Sequence, residues 1–130
     1  MLYVESSAAL KLVLDEVGAA EAREIIFGWN QRISSVLTTI ETARAVRRHG
    51  VLARLWQLDE VLAGMYRIEI DAPIIDAAGR MSPPLLRSLD AIHLASALSV
   101  GLELGAFATY DRRLAAAARD AGLRVVGIVV

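Results

Sequence analysis

Short apolar runs alternate along this chain with longer stretches in which apolar residues recur at helical spacing. This pattern predicts strands at residues 2–4, 32–36, 66–70, 106–109 and 124–130. It predicts helices from residue 8, over 19–29, from 38 or 39 to 50, over 51–63, from 73, over 88–99 and over 111–121. Alternation of strand and helix is typical of an α/β domain with a mostly parallel sheet.

Small polar residues mark the expected starts of several helices, because their side chains can accept hydrogen bonds from free backbone N–H groups. The expected N-cap residues are Ser6 or Ser7, Thr38 or Thr39, and Ser88. Gly50 is expected to end the helix before it. Pro83 and Pro84 predict an irregular loop over residues 81–87, because consecutive prolines prevent a regular helix.

The composition narrows the class of protein. With 130 residues and 55% hydrophobic types, residues 1–130 are expected to form a single domain with a buried core. Fourteen basic and 15 acidic residues give a net charge of −1, which argues against a strongly basic nucleic-acid module. There is no cysteine, which excludes a disulfide or a thiolate zinc site and fits the cytoplasm.

No segment has the pattern of a targeting signal or a membrane span. Residues 1–14 lack the basic start of a signal peptide, and Glu5 interrupts their apolar run. The most apolar long stretch, residues 94–110, is shorter than the ~20 residues that a spanning helix needs and contains Glu103. The chain is therefore expected to have no membrane partner.

Four acidic residues follow predicted strands or open predicted helices: Glu5, Glu41, Asp90 and Asp111. In open parallel sheets, sites form beyond the carboxyl ends of the strands, so these side chains are expected to converge. Carboxylates that crowd together repel one another unless a cation compensates them, and Mg²⁺ or Mn²⁺ prefers oxygen ligands. The chemistry this pattern favours is metal-assisted hydrolysis of a phosphodiester.

A simpler interpretation of the same residues stays open at this point. Glu41 and Arg44 have the spacing of an ordinary i,i+3 helix pair, and Asp90 and Asp111 can be helix-start residues favoured by the helix dipole. His93, one turn after Asp90, is either a base or metal ligand or, as we favour, a core histidine beside the site.

Four segments in this order resemble the PIN-domain ribonucleases, and most of all the VapC toxins of bacterial toxin–antitoxin pairs. They are residues 2–8 (LYVESSA), 34–44 (SSVLTTIETAR), 86–95 (LRSLDAIHLA) and 109–114 (TYDRRL). The resemblance spans nearly the whole chain. It implies a PIN-like three-layer α/β/α domain around a central, mostly parallel sheet, and an endoribonuclease that uses Mg²⁺ or Mn²⁺ to cut RNA.

The resemblance also implies roles for individual residues. Glu41, Asp90 and Asp111 match the family's acidic metal-binding and catalytic positions, and Glu5 matches a position where the family usually has aspartate. The residues expected beside the metal or against RNA are Ser7, Thr109, Arg87 and Arg112. Because glutamate is one methylene longer than aspartate, Glu5 either remains a ligand or outer acceptor, as we expect, or weakens the nuclease.

The family further implies partners: an RNA substrate, a second copy of the chain in a homodimer, and a cognate VapB-like antitoxin. The antitoxin is expected in an apolar groove formed by the helices over residues 19–29 and 51–63. Two alternatives remain. One is a catalytically weakened PIN-like binding module that acts through its antitoxin complex. The other is a phosphoacceptor receiver domain, which Lys11, the only lysine, does not suit.

Overall fold

The computed structural model describes residues 1–127, and within that range the chain forms five strands and seven α-helices. The strands are β1 (Leu2–Val4), β2 (Arg32–Ser35), β3 (Tyr66–Ile68), β4 (Ala106–Ala108) and β5 (Val125–Val126). The helices are α1 (Ser6–Lys11), α2 (Ala19–Phe27), α3 (Val36–Arg48), α4 (Arg54–Ala63), α5 (Ala72–Gly79), α6 (Ser88–Leu98) and α7 (Arg112–Asp120). The α/β class predicted from the alternating pattern is confirmed.

All four strand pairings are parallel, in the order β3-β2-β1-β4-β5. From β1 the chain first builds outward through β2 and β3, and then returns to add β4 and β5 on the other side. The strand order therefore reverses between β1 and β4. Ligand sites in open parallel sheets form at such a reversal, beyond the carboxyl ends of the strands.

The sheet is covered on both faces because successive side chains of a strand point to opposite sides. Leu2 and Val4 of β1 pack in one apolar cluster with residues of α1 to α4. Tyr3, between them, packs in a second cluster with Phe107 of β4 and with residues of α6 and α7. The molecule therefore has the three layers, α/β/α, that the resemblance implied, with β1 fully buried at the centre.

The helix starts differ from the predicted ones. The N-cap of α1 is Glu5, not Ser6 or Ser7, and the N-cap of α3 is Ser35, not Thr38 or Thr39. Helix α6 begins at Ser88 after Arg87, whose side chain makes no capping bond. In the first two cases the helix begins directly after the strand. Glu5, the residue after β1, accepts from the backbone N–H of Ser7, and Ser35, the last residue of β2, accepts from that of Leu37.

Other boundaries agree with the predictions. Gly50 adopts a φ of +71°, the left-handed conformation that ends α3 without steric cost. Strand β5 covers the start of the predicted 124–130 segment, and residues 128–130 lie outside the described part of the chain.

None of the helices formed by residues 1–127 has both the length and the apolar character needed to cross a bilayer.

Candidate functional site

The four predicted carboxylates line one cavity at the carboxyl edge of the sheet. This cavity has a volume of about 410 Å³, and its wall includes Glu5, Glu41, Asp90 and Asp111. Glu5 directly follows β1 and Asp111 comes three residues after β4, so two of them lie where the strand order reverses. Glu41 comes from α3 and Asp90 from the first turn of α6. Residues distant in the sequence therefore share one acidic pocket.

Asp90 and Asp111 are held close together by a shared arginine. Arg87 Nε lies 3.4 Å from Asp90 Oδ2, and Arg87 Nη2 lies 3.6 Å from Asp111 Oδ2. Burial raises the pKa of Asp90, the charge of Asp111 raises it further, and Arg87 and His93 only partly oppose this. Two acids whose charges repel each other form a site that favours a cation.

Asp111 also caps a helix. Its Oδ1 accepts hydrogen bonds from the backbone N–H groups of Arg113 (2.9 Å) and Leu114 (3.0 Å) at the start of α7. Oδ2 faces Arg87 and makes no bond to the helix. The helix-start interpretation of Asp111 is therefore correct, but it engages only one carboxylate oxygen and leaves the other for the cavity.

Glu41 is fixed from the opposite wall. His93 Nε2 and Ser6 Oγ both lie 2.6 Å from Glu41 Oε1, and both groups donate to it. Burial raises the pKa of Glu41, but the hydrogen bonds from His93 and Ser6 outweigh burial, so its pKa is lower than that of an ordinary glutamate. Glu41 is therefore a stable carboxylate near neutral pH.

Glu5 is the most buried of the four acids, with 4% of the residue exposed. Its Oε1 and Oε2 lie 2.9 and 3.0 Å from the backbone nitrogen of Ser7, which caps α1. Burial raises the pKa of Glu5, although the neighbouring His93 and the N–H of Ser7 oppose this effect. The carboxylate of Glu5 therefore caps the helix that it precedes, as Asp111 caps α7.

We expect Glu5→Gln to be more stable than the wild type at neutral pH in EDTA. A raised pKa in the folded state means that folding favours the neutral form, so wild-type stability falls as pH rises through that pKa. Thermal unfolding of both proteins should therefore coincide below about pH 4 and separate toward pH 7. A glutamine variant less stable than wild type at pH 7 would contradict the burial argument.

Two hydroxyl side chains connect Glu5 to the segment that carries Asp111. Thr109 Oγ1 donates to Glu5 Oε2 at 3.4 Å and accepts from the backbone N–H of Asp111 at 3.1 Å. Ser7 Oγ lies 3.3 Å from Thr109 Oγ1 and accepts from the backbone N–H of Tyr110 at 2.8 Å. Ser7 and Thr109 therefore lie beside the acids, as the family resemblance implied, and link the ends of β1 and β4.

The other predicted residues are placed as follows. Arg87 lines the cavity, whereas Arg112 is exposed on α7 and is not part of its wall. Sequence reasoning did not select Ser6 or Arg48 for this site, yet both line the cavity. Arg48 follows Glu41 by seven residues, two helical turns, and that spacing on α3 is the signal that could have placed both on one face.

The donor set suits a hydrated divalent cation. Among residues 1–127, no group of three or more histidine, aspartate or glutamate side chains lies close enough to hold a metal ion by itself. Mg²⁺, however, is bound through one or two carboxylates and keeps several waters. Asp90 and Asp111 fit that requirement, because Oδ2 of each lies within 3.6 Å of the same Arg87 guanidinium, so one positive group already lies against both carboxylates.

Comparison with known proteins identifies the family. Residues 2–120 match the family model described as PIN domain. Ribonuclease VapC46 of Mycobacterium tuberculosis (strain ATCC 25618 / H37Rv) is 37% identical to the chain, over 96% of this chain and 95% of that protein. Ribonuclease VapC35 of the same strain is 41% identical, over 97% and 96%. The resemblance found in the sequence motifs is confirmed, and the chain belongs to the PIN-domain family.

Proposed function

We propose that this protein is a metal-dependent endoribonuclease of the VapC kind, which hydrolyses RNA phosphodiester bonds as the toxin of a toxin–antitoxin pair. The observation that carries the proposal is the single cavity at the strand-order reversal that all four carboxylates line. Membership of the PIN-domain family and relatives named ribonucleases at 37% and 41% identity over nearly the whole chain support it.

Asp90 and Asp111 would hold Mg²⁺ or Mn²⁺ directly, with Glu41 and Glu5 completing the site through their own oxygens or through waters. When bound, such an ion lowers the pKa of a water and screens the charge on a phosphodiester. Arg87 offsets part of the charge of Asp90 and Asp111 in the metal-free protein and is 66% exposed, so its guanidinium is free to turn toward a phosphate. The hydrogen bonds of Ser7 and Thr109 fix the position of Glu5 relative to the backbone of Asp111.

The proposal predicts that cleavage of RNA requires a divalent cation. Purified protein treated with EDTA should not cut a mixed RNA, and adding Mg²⁺ or Mn²⁺ should restore cutting, whereas Ca²⁺, with longer bonds and more ligands, should restore it poorly. Denaturing gels of end-labelled RNA measure the result. Cleavage at an unchanged rate in EDTA would overturn the metal-dependent function.

We expect wild-type protein to cut RNA even though Glu5 replaces the family's usual aspartate, and Glu5→Asp to change the rate about tenfold or less. Glu5 keeps a carboxylate in the cavity wall, so the negative charge is present in either case. Initial rates at saturating Mn²⁺ measure the difference. A silent wild type that aspartate restores would instead show that the longer side chain disables the site.

A binding module with little nuclease activity is the second candidate. The observation that favours it is that both oxygens of Glu5 are engaged by the Ser7 N–H, and a capping carboxylate is less available to a metal. Titration with Mn²⁺ distinguishes the two functions, since a protein that acts only by binding should show little Mn²⁺ affinity at the acidic cavity.

The partners we propose are an RNA substrate, a second copy in a homodimer and a cognate VapB-like antitoxin, all in the cytoplasm. Helices α2 and α4 both pack on the face of the sheet that carries Leu2 and Val4. They expose Phe27 and Trp56, which are 53% and 69% accessible. An apolar segment of the antitoxin that covers these side chains would suit this surface.

A further inference from the structure

His93 lies in the middle of a buried hydrogen-bonded chain that ends on Glu41. Tyr3 Oη lies 2.8 Å from His93 Nδ1, and His93 Nε2 lies 2.6 Å from Glu41 Oε1. Tyr3 and His93 are 0% and 1% exposed, so water does not compete for these bonds. The chain connects the central strand β1, helix α6 and helix α3. We refer to it as the Tyr3–His93–Glu41 chain.

The direction of each hydrogen bond follows from the groups themselves. An ionised carboxylate can only accept, so His93 Nε2 must carry a proton toward Glu41. In a neutral imidazole the other nitrogen then has a lone pair, and His93 Nδ1 accepts the hydroxyl proton of Tyr3. The Tyr3 hydroxyl therefore selects the histidine tautomer that donates to Glu41.

The far end of this chain is held rigidly by the core. The Tyr3 ring stacks on Phe107 of β4, with ring centroids 5.1 Å apart and planes 2° apart, and it meets the His93 ring edge-on. His93 also lies one helical turn after Asp90 on α6. Because His93 lies on α6 and bonds to Glu41, it fixes the position of Glu41 on α3 relative to Asp90 on α6.

We propose that His93 is a positioning residue for the metal centre, which holds Oε1 of Glu41 so that Oε2 faces the cavity in a fixed orientation. The proposal rests on the proposed metal-dependent function. Removing a residue that hydrogen-bonds to a metal-binding carboxylate or histidine, and so orients it, typically lowers metal affinity or activity 10–100-fold. Ser6 Oγ, at 2.6 Å, is the second donor to the same oxygen.

Two substitutions of His93 separate hydrogen bonding from packing. In His93→Gln the amide nitrogen can occupy the place of Nε2 and donate to Glu41, whereas the shorter asparagine of His93→Asn cannot reach it. We expect Mn²⁺ affinity, measured by calorimetry, to fall about 10–100-fold in His93→Asn and to be largely restored in His93→Gln. His49→Asn, at the end of α3, is the matched control and should leave Mn²⁺ affinity unchanged.

Steady-state kinetics add a second readout. At a fixed subsaturating Mn²⁺ concentration, His93→Asn should lower kcat with little change in KM for RNA, because His93 is only 1% exposed and the exposed Arg87 at the cavity is unchanged. Equal Mn²⁺ affinity and equal kcat in wild type, His93→Asn and His93→Gln would overturn the proposal while leaving the nuclease function standing. A wild type that neither binds Mn²⁺ nor cuts RNA would instead overturn the proposed function.

The wild-type protein provides a test that does not depend on how the His93 variants fold. Nitrogen-15 NMR of the metal-free protein should show a proton on His93 Nε2. In Tyr3→Phe, which keeps the ring stacked on Phe107 but removes the hydroxyl, the Nδ1 resonance should shift and Mn²⁺ affinity should fall a few-fold. A neutral ring with its proton on Nδ1 in the wild type would overturn the proposal.

Discussion

Replacing Asp90 with asparagine is expected to abolish RNA cleavage and to leave the protein folded. The asparagine keeps the shape of the side chain but removes a charge from the pair that Asp90 forms with Asp111. Loss of a metal-binding charge removes several kcal/mol of transition-state stabilisation, which corresponds to a rate roughly 10³-fold lower. Cleavage assays with saturating Mn²⁺ measure the rate, and circular dichroism measures the fold.

The stability of this variant gives an independent check. Asp90 is a partly buried acid whose pKa is raised by burial and by Asp111, so its charge does not help the metal-free protein to fold. Asp90→Asn should therefore unfold at the same temperature as the wild type or slightly higher. Asp76→Asn on α5, an exposed aspartate that pairs with Arg80, is the matched control and should keep full activity. Full activity in Asp90→Asn would refute the assignment of this cavity.

Substitutions of Asp111 should separate its two roles. Asparagine and aspartate cap helices about equally well, so Asp111→Asn should retain stability and lose roughly 10²–10³-fold in cleavage rate. Alanine cannot cap, so Asp111→Ala should lose the same activity and about 0.5–2 kcal/mol of stability as well. The two N–H groups that Oδ1 accepts at the start of α7 account for the stability loss. Chemical denaturation and cleavage assays on the same samples measure both effects.

Asp71 offers a matched control for the capping role. It caps α5 by accepting from the backbone N–H of Ile74 at 3.0 Å, and it is not part of the acidic cavity. Asp71→Ala should therefore lose about 0.5–2 kcal/mol of stability and keep its cleavage rate. If Asp111→Asn cut RNA as fast as the wild type, Asp111 would be a capping residue and no more.

Much of the fold could be predicted because it depends on local patterns. Residues 66–70 alternate with period two, and a strand forms there, at Tyr66–Ile68. Residues 111–121 have helical spacing, and α7 forms inside that range. The candidate acids could be predicted because, in a parallel sheet, residues that follow buried strands lie at the edge where ligand sites form. That rule depends on the topology of the sheet rather than on the spacing of the acids along the chain. The exact helix starts at Glu5 and Ser35 were missed, because capping depends on where a strand stops.

The roles of Glu5 and His93 show where local patterns are insufficient. As a residue type, Glu5 indicated a metal ligand, and only the structure shows it engaged by the N–H of Ser7 and by Thr109, 104 residues away. His93 was expected in the core beside the site, and it is 1% exposed. Its contacts with Tyr3 and Glu41 join residues 90 and 52 positions apart, which no spacing along the chain indicates.

The order of polar and apolar residues by itself determined the α/β class, most of the element positions and the four acidic residues worth testing. It did so because hydrophobic periodicity and short motifs act over a few residues. Only the tertiary structure decided that Arg87 lies between Asp90 and Asp111, that the Tyr3 hydroxyl lies 2.8 Å from His93 Nδ1, and that Arg112 lies outside the cavity. These facts depend on how layers pack across the sheet, because hydrogen bonds and ion pairs act over a few ångströms in space, whatever the separation along the chain.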